Sequence, residues 1–579
     1  MRLFGRSAGG LALLVLLTAP AGAAEPASPL RYVPAEADLV LEAASPKDIV
    51  ETLYHLDTFQ KVKEITAVRE FLDSTQYRRF YRLVAYFEKE LGAKWPELLD
   101  QLSGGGAALA VKFGPNPAPA LLVVQAKDEA QAQKFKKLAL DVIEQELARQ
   151  EAKEKPVKDT YQDVETVSIG DEVHFALAGR TMLLANKRDV LTAALDLHAG
   201  KTTKSLADSA SVADAKKLLP KGPMATLWIN MEPVRKSPEF EAVYKTPRDP
   251  NLTVFFGGYI DVLSRTPFVA AGVYKEKDGY LTTIRMPRGR DGMGDDLVLH
   301  LPKEGEAASR PLLEPKNVLY SDSFYLDLSR IWLDRDKLFG KDIAKALEEA
   351  DKNSNKLVSG LQLSKQLQQA GTYHRFVAVS QPKTGYKKQS ATPIPAFAFV
   401  TELREPEEFG KAMETALRGA ALLASQQIKM KLVEEKHNDI EIVGYRFPED
   451  VAVPQDTNDI RFNFSPCFCR VGNQYVFCST LELCRELIDI LQQEQKDPPK
   501  GTAAKSHYKF YSDGLADAAK GFEDLLVVQA LLDQGIPAEE ARAQTKALLA
   551  LLKQLGTLEV QATFTKDELH YDIRAKTGK

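Results

Sequence analysis

Cysteine is scarce. Four occur in 579 residues, all between Cys467 and Cys484, which excludes a small disulfide-dense scaffold. Neither sign of charge dominates: 76 Lys and Arg face 80 Asp and Glu. That excludes a chain that grips nucleic acid through overall basicity. The eight histidines are scattered, with no H-E-x-x-H and no pair spaced i,i+4, so the helical zinc-protease signature is missing. No G-x-S-x-G elbow occurs. The one glycine-rich run, Gly104–Gly106, precedes a strand pattern and lacks the Lys-Ser/Thr of a phosphate loop, so it reads as a turn or a close backbone approach. Past the N-terminus, no apolar run serves as the ~20-residue stretch a spanning helix needs. The nearest, Ala412–Met430, carries Glu414, Arg418 and Lys429 and reads as a packed helix of a soluble domain. What remains is ordinary globular composition, long enough for two to four domains at about 150 residues each.

The N-terminus reads as an export signal. Arg2 and Arg6 form a positive region, Leu11–Leu17 a short apolar core, and Ala21-Gly22-Ala23 a small-x-small cleavage pattern. Cleavage is expected between Ala23 and Ala24, leaving an exported protein in the periplasm or outside the cell with no transmembrane segment.

The chain also resembles itself. Asp163-Val164-Glu165-Thr166-Val167 parallels Asp439-Ile440-Glu441-Ile442-Val443, and Ala178–Ala185 parallels Val471–Cys478. The two offsets are reconciled by an insertion in the stretch Pro448–Asn463, which has loop chemistry. The flanks agree in order. Strand patterns at Ala107–Phe113 and Ala120–Gln125, then a helix from Asp128, match Tyr373–Ser380, Ala396–Thr401 and a helix from Pro406. Helices at Arg188–Leu197 and Leu481–Gln493 follow. Each half closes on a hairpin, Phe268–Met286 in the first and Gly556–Ile573 in the second. The expected fold class is α+β: two duplicated halves, each a largely antiparallel sheet with helices packed on it. The expected organisation is a signal peptide at 1–23, a first repeat at 24–290, a linker at 291–315 and a second repeat at 316–579.

Candidate chemistry is thin. Cys467 and Cys469 share one strand face. If Gly472-Asn473 is a two-residue turn, Cys467 lies opposite Cys478, a possible disulfide, and Cys484 begins the next helix near Cys469. Zinc is the rival reading, but the spacing lacks C-x₂-C knuckles. The positions matching these four in the first half are His174, Ala176, Ala185 and Leu191, three of them small or apolar, which points to packed interior. Ser380-Gln381-Pro382-Lys383 and Ser506-His507-Tyr508-Lys509 fit S-x-x-K, and Lys383-Thr384-Gly385 fits K-T-G. S-x-x-K must open a helix, whereas these stretches read as loop and strand. Phe80, Leu83, Val84, Phe87 and Leu91 make one helical stripe that runs through and past Tyr77–Phe87, so the arginines of that segment read as solvated or paired to Glu88 and Glu90. No catalytic, cofactor-binding or metal-binding residues are assigned.

Several stretches carry a family resemblance: Tyr32–Leu41 (YVPAEADLVL), Asp73–Tyr81 (DSTQYRRFY), Tyr86–Gly92 (YFEKELG), Trp95–Asp100 (WPELLD), Asp249–Val254 (DPNLTV) and Phe256–Gly258 (FGG). In these, the first half resembles exported planctomycete-type bacterial proteins carrying a domain of unknown function (the domain-of-unknown-function 3352 family). The resemblance implies export and an α+β fold, and transfers no site residues. The expected function is that of a non-catalytic binding or envelope-associated protein with a protein or envelope partner. The alternative is a hydrolase whose site is assembled from residues distant in sequence.

Overall fold

A computed structural model describes residues 28–577 apart from 55–65, 153–154, 203, 245–248, 358–360, 382, 426–429, 452, 454–455 and 457. The signal region with Ala23 and Ala24, and also Pro382, lie outside the described residues. The fold is α+β, with helices packed on antiparallel sheet. No described helix is long and apolar enough to cross a membrane. The chain divides into two compact units. One comprises residues up to Phe240 with Thr266–Pro287, the other Glu241–Arg265 with Arg288–Lys579.

The first unit holds β1 (Leu39–Ala43), β2 (Ala107–Val111), β3 (Ala120–Gln125), β4 (Val157–Tyr161), β5 (Val164–Ile169), β6 (Val173–Ala178), β7 (Thr181–Ala185), β8 (Ala225–Asn230), β9 (Phe268–Glu276) and β10 (Gly279–Pro287). Antiparallel pairing orders them 4-5-6-7-3-2-1-8-9-10. The second unit holds β11 (Val318–Tyr325), β12 (Ala370–Val379), β13 (Ala396–Leu403), β14 (Lys431–His437), β15 (Ile440–Arg446), β16 (Cys467–Val471), β17 (Gln474–Cys478), β18 (Ser506–Tyr511), β19 (Thr557–Phe564) and β20 (Glu568–Lys576). Their order is 14-15-16-17-13-12-11-18-19-20, the same sequence of pairings with ten added to each label.

Local chemistry explains the matched hairpins. The turn between β4 and β5 places Gln162 and Asp163 at φ of 50° and 60°, and the turn between β14 and β15 places Asn438 and Asp439 at 48° and 64°. Two consecutive left-handed residues are what a tight hairpin turn of the primed type needs, and Asn and Asp tolerate that conformation best after glycine. The repeated Asp at the start of each matched segment is therefore a turn residue. Gly179 and Gly472, at φ of 58° and 60°, open the next pair of turns.

Side chains alternate between the sheet faces. In the first unit one face, with Val40, Ala110, Val123 and Leu183, packs on Leu191 and Leu195 of the helix Arg188–His198. The other, with Leu122, Val124, Leu177 and Met182, packs on Phe87 and Phe135 from the helices Thr75–Leu91 and Glu129–Arg149. Ser74 caps the first of these by accepting from the Tyr77 N–H at 3.1 Å, and Gly92 ends it at φ 74°. Its apolar stripe faces the core as the spacing requires. Arg78 pairs with Asp73 at 3.4 Å, while Glu88 is taken by Lys94 at 2.9 Å and the Trp95 N–H at 2.8 Å.

In the second unit, Val377, Ala398, Val400 and Val476 pack on Leu487 and Leu491 of the helix Leu481–Lys496. Val443, Phe468 and Tyr475, on the opposite face, pack with Phe409 of the helix Pro406–Ser425. Arg418 in that helix pairs with Glu414 and Glu434 at 2.8 and 2.6 Å. Two of the three charges named for this stretch are thus paired, and Lys429 lies outside the described residues.

Candidate functional site

Three constellations in the second unit carry polar or reactive groups, and one surface carries exposed apolar ones. The cysteines come first. The β16–β17 register sets Cys467 opposite Cys478, as the two-residue turn at Gly472-Asn473 demands. Thr480 caps the next helix, its hydroxyl accepting from the Leu483 N–H at 3.4 Å. One turn of helix then lays Cys484 on the cysteine-bearing face. All four are buried thiols. Cys484 donates to the Cys469 sulfur at 3.6 Å, and Cys467 donates to the Thr480 carbonyl at 3.4 Å. They sit in the main apolar cluster of the unit, among Leu481, Leu487 and Ile488. In the first unit Ala176, Ala185 and Leu191 occupy the matching strand and helix positions in that unit's core. His174 there shares a hydrogen bond with the Ser168 hydroxyl at 2.8 Å. No group of metal-holding geometry occurs among the described residues.

The second constellation was not evident from sequence. Ser323 of β11 and His507 of β18 are register partners, and the imidazole Nε2 of His507 meets Glu559 of β19 at 2.8 Å. The His507 hydrogen bond is the main reason the Glu559 carboxyl is held down at about 2. Serine, histidine and carboxylate thus sit on three adjacent strands, in the chemical order of a hydrolase triad. The relay is not assembled. The Ser323 hydroxyl and the His507 Nδ1 are each buried without a hydrogen-bond partner, and Ser323 has no exposed surface. A nucleophile must reach both its base and a substrate; Ser323 reaches neither. The S-x-x-K tetrads also dissolve. In strand β18 the period of two puts Ser506 and Lys509 on opposite faces, and Lys509 pairs with Glu314 at 2.8 Å. Ser380 follows strand β12, outside any helix.

The third is two charged groups taken out of water, Lys505 and Asp322. Lys505 is 5% exposed, its ammonium 4.8 Å from the ring centre of Tyr259. Burial pulls its pKa down to about 8, against the attraction of Asp322. Burial pushes Asp322 up to about 6, opposed by a hydrogen bond from Tyr320 and by the Lys505 charge. The two lie 183 positions apart, so no local pattern relates them.

The surface lies on the central strands. Tyr320, Phe376, Phe397, Phe399, Phe510 and Leu558 come from neighbouring strands on the face opposite Val377 and Ala398. Their rings touch: Tyr320 lies 4.8 Å from Phe510 and 6.0 Å from Phe376, and Phe376 lies 6.3 Å from Phe397. Phe397, Phe399 and Phe510 are each 37% exposed and Leu558 39%. In the first unit Leu41 and Leu109, paired across β1 and β2, are exposed in the same way. Scattered apolar residues on a surface need no explanation, but a contiguous aromatic patch on the middle of a sheet marks an interaction surface.

No protein-family model matches the chain, and no curated protein matches it. Solved structures it is similar to include crystal form I of TP0453, at 9% identity and a TM-score of 0.24, covering 46% of this chain and 81% of that one. Crystal form III of TP0453 matches at 10% identity and a TM-score of 0.22, covering 47% and 84%. Likeness at this level supports no statement on activity.

Proposed function

We propose that the protein is an exported, non-catalytic binding protein of the cell envelope, and that the open aromatic face of its second unit receives the partner. The observation behind this reading is the cluster of Phe397, Phe399 and Phe510, exposed on central strands where an antiparallel sheet ordinarily either buries such side chains or carries polar ones. A partner that covers these rings removes apolar area from water at about 25 cal/mol per Å². The export signal at 1–23, cut between Ala23 and Ala24, supplies the address, and the resemblance to exported planctomycete-type proteins agrees with it. The shared strand order of the two units supports reading them as copies of one ancestral repeat, with the aromatic face elaborated in the second.

The test is substitution on the face. Phe397→Ser with Phe399→Ser is expected to abolish retention of the protein on envelope fractions while leaving its unfolding midpoint close to that of the parent chain. Unchanged retention would remove the face from the proposal. The hydrolase alternative rests on Ser323, His507 and Glu559. A fluorophosphonate probe is expected to leave Ser323 unlabelled in the native protein, and labelling there would restore that alternative.

A further inference from the structure

We propose that Cys469 and Cys484 form a disulfide that ties β16 to the helix Leu481–Lys496 when the chain folds in an oxidising compartment. The geometry singles out this pair among the four thiols. Strand periodicity turns Cys467 and Cys469 to one face, and the helix that starts at Leu481 lays Cys484 over it. The Cys469 and Cys484 sulfurs then lie 3.6 Å apart with nothing between them, the Cys484 thiol pointing at its neighbour. Cys467 is engaged elsewhere, donating to the Thr480 carbonyl. Counting from the turn-closing pair Val471–Gln474, which exchanges hydrogen bonds, every second pair does the same. Cys467–Cys478 falls on that count, at the wider Cα separation. The first unit carries Ala176 and Leu191 at the two matching positions, so the link is particular to the second unit.

The chemistry is thiol–disulfide exchange with a disulfide oxidant, such as oxidised glutathione or the disulfide form of an oxidase. The order of attack does not change the product; taken with Cys484 first, its thiolate opens the exchange. It bonds to one sulfur of the oxidant, and the other leaves as a thiolate. Cys469 loses its proton and attacks the Cys484 sulfur of this mixed disulfide, expelling the oxidant's second sulfur. The protein gives up two protons and two electrons, and the oxidant ends as two thiols. All four cysteines are buried once folded, so the exchange precedes the docking of the helix on the strand.

The link takes only its setting from the proposed export, and two samples separate the claims. The full chain is recovered from cells, and also refolded from denaturant in a mixture of oxidised and reduced glutathione. Each sample is then denatured in an alkylating reagent and mapped by mass spectrometry. Both samples are expected to show Cys467 and Cys478 alkylated and Cys469 joined to Cys484, with the joined peptide lighter by two hydrogens. Cys478→Ser should keep the link and Cys484→Ser should lose it. If Cys484→Ser does not fold, the mapped parent chain still decides. A link in the refolded sample but free thiols in the cellular one upholds the pairing and overturns export. Four alkylated cysteines after refolding, a Cys467–Cys478 link, or zinc released with four free thiols would each overturn the pairing.

Discussion

His374 lies wholly inside the second unit, its Nε2 donating to the Leu326 carbonyl at 2.9 Å and its Nδ1 facing the Thr401 hydroxyl at 2.9 Å. These bonds satisfy the neutral ring, and burial lowers its pKa to about 4. His300, whose Nε2 meets the Thr253 carbonyl at 3.0 Å, is lowered by burial and by nearby Lys505 to about 3. With unfolded values near 6.5, the unfolded chain binds more protons than the folded one between about 4 and 6.5. Stability therefore rises with pH across that window and is lost as pH falls through it. Asp322, raised to about 6, has the opposite sign. Its contribution is present below the ordinary carboxylate value and lost as pH rises through 6. Two histidines outweigh one aspartate. Urea unfolding at a series of pH values is expected to show stability climbing from pH 4 to 6.5. His374→Gln should flatten the climb and Asp322→Asn should steepen it. A flat profile in the parent chain would contradict the assignment.

A second residue-scale consequence concerns Arg375. It is buried on the core face of β12, paired with Glu494 at 2.7 Å and donating to Gln474 at 2.7 Å. Removing one partner of a buried pair strands the other charge. Arg375→Ala is expected to cost about 3 to 5 kcal/mol, and Arg375→Met with Glu494→Leu much less. Equal losses in the two variants, measured by denaturant unfolding, would show that the pairing matters little.

At the scale of elements, the turns explain why the repeat could be seen in the sequence. Asp163 and Asp439 hold left-handed backbone that a β-branched residue resists at roughly 1–2 kcal/mol. Asp439→Val is expected to destabilise by about that amount and Asp439→Gly to be near neutral. The reverse order in urea midpoints would reject the turn assignment. The same logic made β2, β3, β6, β7, β13, β16 and β17 legible, because alternation and turn residues are local signals. Element ends were less so. The helix Glu129–Arg149 stops where no glycine or proline immediately follows. The Cys467–Cys478 register followed from counting across one turn. The Ser323–His507–Glu559 alignment, the burial of Lys505 and the aromatic face did not. Each involves residues at or beside the pairing of β11 with β18, strands far apart in sequence, which no local pattern encodes.

At the scale of the whole molecule, each unit has the same strand order and a helix of matching place on its core face, yet the two differ in what they expose. On the matching sheet face the first shows aliphatic Leu41 and Leu109, the second a set of touching aromatic rings. A catalytic reading needs reactive groups that converge and can be reached. Ser323 has no exposed surface and its hydroxyl has no hydrogen-bond partner, whereas Phe397, Phe399 and Phe510 are open to solvent. The account therefore turns on whether that face meets a partner in the cell. The direct measurement is site-specific photocrosslinking of the full-length protein in its own cells. A photoreactive residue would replace Phe399, Phe510 or, as a control, Glu407 on the exposed helix surface. Discrete adducts of one size from positions 399 and 510, absent from 407, are the expected result. No adduct from either face position, or the same adducts from all three, would contradict the account.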